Sequence, residues 1–383
     1  MVLRPLAVLA VVLLCAQVPL ASGQASEGPP PTLFVGDPAP PLEVSTWVKG
    51  TKIDQLDPAK TYVIGFWSSW SAPSKAVMPR HSELALKHRS NGVECLGIFV
   101  KENVEGQVAA LVTEMGDRLG FAVAIDAPKK IPPGSMELPE GKPGQMAQSW
   151  LVAAGRDNVL TAFVVHKGRV AWIGHPHKID DPLAAIAAGT FDLAVAAKAY
   201  RERATLDAQR HAVVVKVRPH FQAKEYDKAV AVIDEAVAAT PALETVLGAD
   251  KFTLLLAKGD HATASAYGTK VVDGCLKDDA VMLNQIAWTI VDPRSTVDRG
   301  MRNLALARKA AERAVELTKA DDWAILDTLA LVCFDQGEAE RALELQDKAV
   351  KLAVAAGAGD EDPTMKSRLE QFRSAVAAKK PGG

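Results

Sequence analysis

The chain has 383 residues, 48% of them apolar, and a net charge of −2 at pH 7. That is enough apolar material for two cores on the usual length prior. The near-neutral balance, with no basic stripe carrying interleaved aromatics, excludes a nucleic-acid-binding reading.

A single positive charge, Arg4, precedes an apolar run from Leu6 to Val18 and the small residues Ala21, Ser22 and Gly23. The run is shorter than the roughly 20 apolar residues that span a bilayer as a helix. The pattern predicts a cleaved secretory signal over 1–23, and therefore a periplasmic or secreted protein. Cys15 follows Leu14 where a lipid-modified cysteine follows a small residue, which argues against a lipoprotein. Residues 24–33, with Pro29, Pro30 and Pro31, read as an extended linker. No later stretch is long and apolar enough to suggest a membrane span.

From residue 34 to 190 strand and helix signals alternate. Leu42–Trp47 and Thr51–Leu56 flank Lys49-Gly50 and predict a hairpin. Tyr62–Trp67 predicts an apolar strand, Lys75–Arg89 a helix, Val93–Val100 a buried strand, Val104–Met115 a helix and Phe121–Ile125 a third strand. Ala127–Gly144, rich in Pro and Gly, predicts a long loop, and Gln145–Ala154 a helix. Thr161–His166 and Arg169–Ile173 predict two strands joined at Lys167-Gly168, and Asp181–Ala188 a closing helix with Asp180 or Asp181 as its cap. This succession predicts an α/β sheet of mixed strand direction.

After Asp192 the strand signals stop, and alanine-rich amphipathic helices fill 191–377, ahead of a tail at 378–383. Small residues recur seven apart: Ala229 and Ala236, Ala264 and Val271, Ala307 and Ala314, Ala342 and Ala349. Two helical turns put each pair on one face, where a neighbouring helix can approach closely. Gly259 and Gly337 fall at the expected inner turns, and Asp292–Gly300 breaks the pattern. The array resembles tetratricopeptide repeats; a plain helical bundle is the alternative. Trp288 and Trp323 are expected as core anchors in it.

At the end of the strand Tyr62–Trp67 stands Trp67-Ser-Ser-Trp70-Ser71-Ala-Pro73-Ser74-Lys75, with Pro79 inside the following helix. This segment resembles the thioredoxin superfamily, in particular its exported thiol–disulfide oxidoreductase (redoxin) branch. Members carry Trp-Cys-x-Pro-Cys-Lys/Arg at this junction, with a kinking proline further on. Trp70, Pro73, Lys75 and Pro79 match, and the resemblance covers roughly 35–192. It implies an α/β thioredoxin-like fold followed by the all-α tetratricopeptide-like domain, and, at the family level, a part in redox homeostasis.

The departures bear on the chemistry. Ser71 and Ser74 stand at both cysteine positions, and exchange needs a thiolate that attacks sulfur and a second thiol that resolves the product. A serine hydroxyl does neither. Leu160 stands where the family has a cis-proline, and a cis bond before a non-proline residue costs about 2.5–4 kcal/mol, so the Val159–Leu160 bond is expected trans. Gly65 stands where some members place a proton-handling carboxylate. The catalytic motif is therefore read as vestigial, at Ser71, Ser74 and Leu160.

Other chemistries are set aside. Ser68, Ser69, Ser71 and Ser74 near His81 lack the third orienting group of a hydrolase and are expected to cap the helix. His166, His175 and His177 are too few to hold a metal, and neither a metal nor another cofactor is expected. Cys95, Cys275 and Cys333 are scattered in apolar sequence and are expected as buried free thiols. The sequence thus predicts an exported protein-binding scaffold with no catalysis, whose surface is formed by Trp67, Trp70, Pro73, Lys75, Leu160 and Thr161. The alternative is a redoxin-class oxidoreductase using Cys95, Cys275 or Cys333. Its partners are expected to be proteins or extended peptide segments.

Overall fold

The computed structural model describes residues 31–102, 104, 106–129, 144–156, 159–295, 297–355 and 363–379. The predicted signal, Cys15, most of the linker and most of the 127–144 loop lie outside the described residues. The linker's predicted end is part of the fold. Thr32 and Leu33 both donate to the Ala153 carbonyl, and Leu33 is buried.

The first half comprises β1 (Val44–Lys49), β2 (Thr61–Trp67), α1 (Ala72–His88), β3 (Val93–Phe99), α2 (Gln107–Met115), β4 (Ala122–Asp126), a π-helical segment (Ala147–Val152), β5 (Thr161–His166), β6 (Arg169–Gly174) and α3 (Asp180–Ala187). They form one sheet in the order β1-β4-β3-β2-β5-β6. Strands β2, β3 and β4 run parallel, while β1, β5 and β6 are antiparallel to their neighbours. Parallel β–α–β units closed by an antiparallel hairpin and a helix make this a thioredoxin-like fold.

Alternation along β2 sorts its side chains between two layers. Val63 and Trp67 join a core with α1, α2 and α3 on one face, while Tyr62, Ile64 and Phe66 join a core with Met146, Trp150 and Leu151 on the other. Both faces are covered, so β2 reads as a continuous apolar run. Asp126, at the end of β4, accepts from the Met146 and Ala147 amides and so ties the start of the π-helical segment to the sheet. Between β5 and β6, Lys167 (φ 52°) and Gly168 (φ 70°) are both left-handed, the geometry of a type I′ hairpin turn.

Two local expectations are corrected. β1 does not form a hairpin with Thr51–Leu56; it pairs with β4, Trp47 opposite Ala124. Thr51–Leu56 forms no strand, and β1, whose partner β4 comes some 80 residues later in the chain, is left as the edge strand of the sheet. Neither Asp180 nor Asp181 caps α3, whose cap position is Ile179 with no side-chain hydrogen bond. Asp180 instead pairs with Arg80 (2.6 Å) and Lys87 (3.5 Å) of α1, fastening α1 to α3.

The second half is helical throughout its described residues: α4 (Leu193–Gln222), α5 (Tyr226–Ala239), α6 (Glu244–Lys258), α7 (His261–Asp273), α8 (Ala280–Val291), α9 (Leu304–Leu317), α10 (Trp323–Asp335), α11 (Ala339–Ala355) and α12 (Pro363–Lys379). Consecutive helices pair as hairpins α4/α5, α6/α7, α8/α9 and α10/α11, and α12 packs on α11. The small residues sit at these contacts: Ala264, Val271, Ala307, Ala314, Ala342 and Ala349 are fully buried. Ala229 is buried too, but its companion Ala236 is only half-buried. Gly259 (φ 85°) and Gly337 (φ 86°) make the left-handed turns inside two hairpins. Side chains of Asp192, Asp260, Asp279, Asn303 and Asp322 cap α4, α7, α8, α9 and α10. Trp288 and Trp323 are partly buried against the helical cores. The architecture is a tetratricopeptide-like array.

Helix α4 belongs to both halves. Its first turns place Leu193, Ala196, Ala197 and Tyr200 against the sheet's second face. Arg201 pairs with Asp37 (2.7 Å) and lies over the Phe34 ring, 4.9 Å from its centroid. Its later turns supply Leu206, Val213, Val214 and Val217 to the first helical core.

Candidate functional site at the strand–helix junction

The segment 67–75 leaves the C-terminal end of β2 and enters α1, where the structure places the sequence-predicted motif. Ser71 is the N-cap of α1 (φ −85°, ψ 115°), and its Oγ accepts from the Ser74 amide at 3.2 Å. Ser74 is fully buried, and its Oγ accepts from the Ser68 amide at 3.3 Å. Both serines are thus employed in closing the turn. Pro73 lies in the first turn, where a missing N–H costs nothing.

A second loop fixes the same turn, and no local sequence signal announces it. Val100–Glu102, just beyond β3, receives four side-chain or backbone donors from Ser68, Ser69 and Trp70. Ser68 Oγ donates to the Val100 carbonyl (2.6 Å) and the Trp70 indole to the Lys101 carbonyl (3.0 Å). The Ser69 amide donates to Glu102 Oε1 (2.7 Å), and Ser69 Oγ to Glu102 Oε2. Lys101 adopts φ 55°, the left-handed conformation that turns this loop back on the motif. Only serine 71 caps the helix; Ser68 and Ser69 belong to the loop clamp.

The residues expected to form a surface divide sharply. Trp70 is 53% exposed, held by its one indole hydrogen bond, and Val104 nearby in sequence to the clamp is 55% exposed. Lys75 is exposed, and Pro73 and Leu160 are half-buried. Trp67 is 0% exposed and Thr161 is buried, so neither offers a surface to a ligand. Strand alternation decides this, since Trp67 faces the α1 core. Among the described residues every peptide bond is trans, Val159–Leu160 included.

Beneath the motif, Gly65 is registered opposite Gly97 of β3 and Ala162 of β5. This lane of small residues accommodates the Trp67 indole. A Cβ on Gly65 would lie 2.5 Å from Trp67 Cζ2, and one on Gly97 would lie 2.6 Å from Phe121 and 3.1 Å from Trp67 Nε1. His81 from α1 stacks edge-on against Trp67 (5.4 Å between centroids) and Phe121 (4.8 Å). The space where the resemblance would put a buried carboxylate is filled by aromatic rings.

The free thiols lie elsewhere. Cys95 is in the middle of β3, 7% exposed, and burial pushes its thiol up to about 12. Cys333 is fully buried in α10, and burial raises it as well. Cys275, expected to be buried, is exposed in the turn after α7, because the helix ends at Asp273 and only Leu276 of that turn is drawn into the core. Its thiol is raised by partial burial and by Glu244. Among the described residues no cluster of His, Cys, Asp or Glu is placed to hold a metal, and no helix is long and apolar enough to cross a membrane.

Fold and junction together define a thioredoxin-like α/β domain joined to a tetratricopeptide-like helical domain. No protein-family profile matches the chain. Protein FixW of Rhizobium leguminosarum is 27% identical over 163 residues, which cover 42% of this chain and 69% of FixW. A thioredoxin-like protein solved in its oxidized form is similar to 40% of this chain and 97% of its own (16% identity, TM-score 0.30). MamA of Desulfovibrio magneticus, from residue 41 to its end, is similar to 45% of this chain and 98% of its own (12% identity, TM-score 0.30).

Proposed function

We propose that the protein is an exported, redox-inactive adaptor that binds extended polypeptide at Trp70, Pro73, Lys75 and Leu160, with the helical array engaging a second protein segment. One observation carries this reading: the two positions that would hold the exchanging thiols are serines whose hydroxyls close the turn, while Trp70 beside them is fixed by the Lys101 carbonyl and left open to solvent. A rigid exposed indole is the kind of anchor on which binding energy concentrates. Helical arrays of this type also present extended surfaces to partners. Thiol chemistry through the remaining cysteines is disfavoured by burial of Cys95 and Cys333 and by the raised thiol of Cys275.

The test is isothermal titration of the purified chain with an unfolded, carboxymethylated polypeptide, which cannot form disulfides. Trp70→Ala should weaken binding about tenfold or more, the usual consequence of truncating an aromatic anchor. Equal affinity of Trp70→Ala and the native chain would overturn the assignment of this surface.

A further inference from the structure

We infer that His81, seconded by His88, makes the docking of α1 on the sheet sensitive to pH, so that mild acidity loosens the helix that carries Pro73 and follows directly on Trp70. The surface affected is the one proposed above, but the inference stands on different residues and is tested without any ligand.

The two histidines are seven residues apart, two turns of one helix, and so share its inner face. Both are buried. His81 sits between the Trp67 and Phe121 rings, beside the Leu96 backbone, and its Nε2 has no partner among the described residues. Neither ring nitrogen of His88 has a partner among the described residues. Three unpartnered nitrogens on the buried face of a helix are an unusual concentration, since buried polar atoms are nearly always hydrogen-bonded.

The charges around them offer little compensation for an added proton. His88 faces Lys87 on its own helix and Asp180 on α3, and Asp180 is already shared by Arg80 and Lys87. β3 brings the Cys95 thiol, which burial keeps uncharged. The turn after α2 brings Arg118, whose carbonyl accepts from Ser82 of α1. Helix α11 also borders α1, but none of its charges is among the groups acting on either histidine. Among the described residues no carboxylate acts on His81, and burial lowers its imidazole from 6.5 to about 4.

A histidine lowered in the folded state is protonated first in the undocked state. Docking is therefore at full strength above about pH 6.5 and is lost progressively as pH falls toward 4. Between pH 7.5 and pH 5.0, His81 alone should raise the opening equilibrium of α1 by about thirtyfold.

The experiment is hydrogen–deuterium exchange on the full chain at pH 7.5 and 5.0, corrected for intrinsic exchange rates, with α10 as the internal reference. Amides of α1 should lose about thirtyfold of their protection at pH 5.0, those of α10 much less, and His81→Phe should abolish most of the difference. If α1 in the native chain lost no more protection than α10, or if His81→Phe retained the full loss, the inference would fall. Should His81→Phe not fold, His81→Leu takes its place; should neither fold, the native-chain comparison of α1 with α10 decides alone.

Discussion

Adding a methyl group at Gly65 tests how the interior beneath the junction has been rebuilt. The Cβ of Gly65→Ala would approach the Trp67 indole to 2.5, 2.7 and 2.9 Å at three ring atoms. The indole cannot retreat freely, because Gly97, Phe121 and His81 bound it. Overpacking of this kind costs about 1–3 kcal/mol. Gly65→Asp should cost more, since a carboxyl group must also be desolvated in a fully buried site. Urea denaturation followed by circular dichroism measures both. The cause is isolated by repeating Gly65→Ala in a Trp67→Phe background, where the smaller ring vacates part of the lane. That background pays its own cavity cost, but the increment from Gly65→Ala should fall by about 1 kcal/mol or more, as expected for residues in contact. An increment near zero in the native background, or the same increment in both, would refute the steric coupling of Gly65 to Trp67. The result also bears on activity, because a proton-relaying carboxylate at position 65 then requires removing Trp67 as well.

Four further outcomes follow from the junction and the domain organisation. The purified protein should reduce insulin no faster than a Cys95→Ser/Cys275→Ser/Cys333→Ser control; turnover that vanishes in that control would reinstate a thiol mechanism. Ser71→Ala should destabilise the chain by about 1 kcal/mol through loss of the α1 cap, measured by urea midpoint, whereas Ser71→Asp should leave it nearly unchanged. Ser71→Cys with Ser74→Cys should form a local disulfide on mild oxidation, shown by thiol titration, yet turn over insulin poorly, and adding Leu160→Pro should raise that turnover. A double variant as fast as an ordinary thioredoxin would show that Leu160 and Gly65 do not limit it. A fragment starting at residue 191 should give a purely helical circular dichroism spectrum; sheet signal in it would contradict the division of the chain at that point.

Much of the fold follows from local sequence. The apolar run of β2, the left-handed turn at Lys167-Gly168 and the seven-residue alanine spacing each act over less than a dozen residues, so their structural consequence can be read directly. The junction frame of Trp70, Pro73, Lys75 and Pro79 is equally local. It identifies where the strand meets the helix and that its thiols are absent.

Tertiary structure decided what lies far apart in the chain. Lys49-Gly50 carries a genuine turn signal, with Gly50 at φ 83°, yet β1 pairs with β4, since long-range pairing and not the nearest alternating segment completes the sheet edge. Glu102 is 33 residues from Ser69 and its role depends on β3 lying beside β2, so no spacing rule could reveal it. Trp67 and Trp70 look equivalent in sequence. Strand alternation over a lane of glycines sends the first into the core, and the turn beyond the strand's end turns the second outward. Composition and periodicity fix which segments form and what chemistry they lack; the packing of non-adjacent strands fixes which side chains are left to meet another molecule.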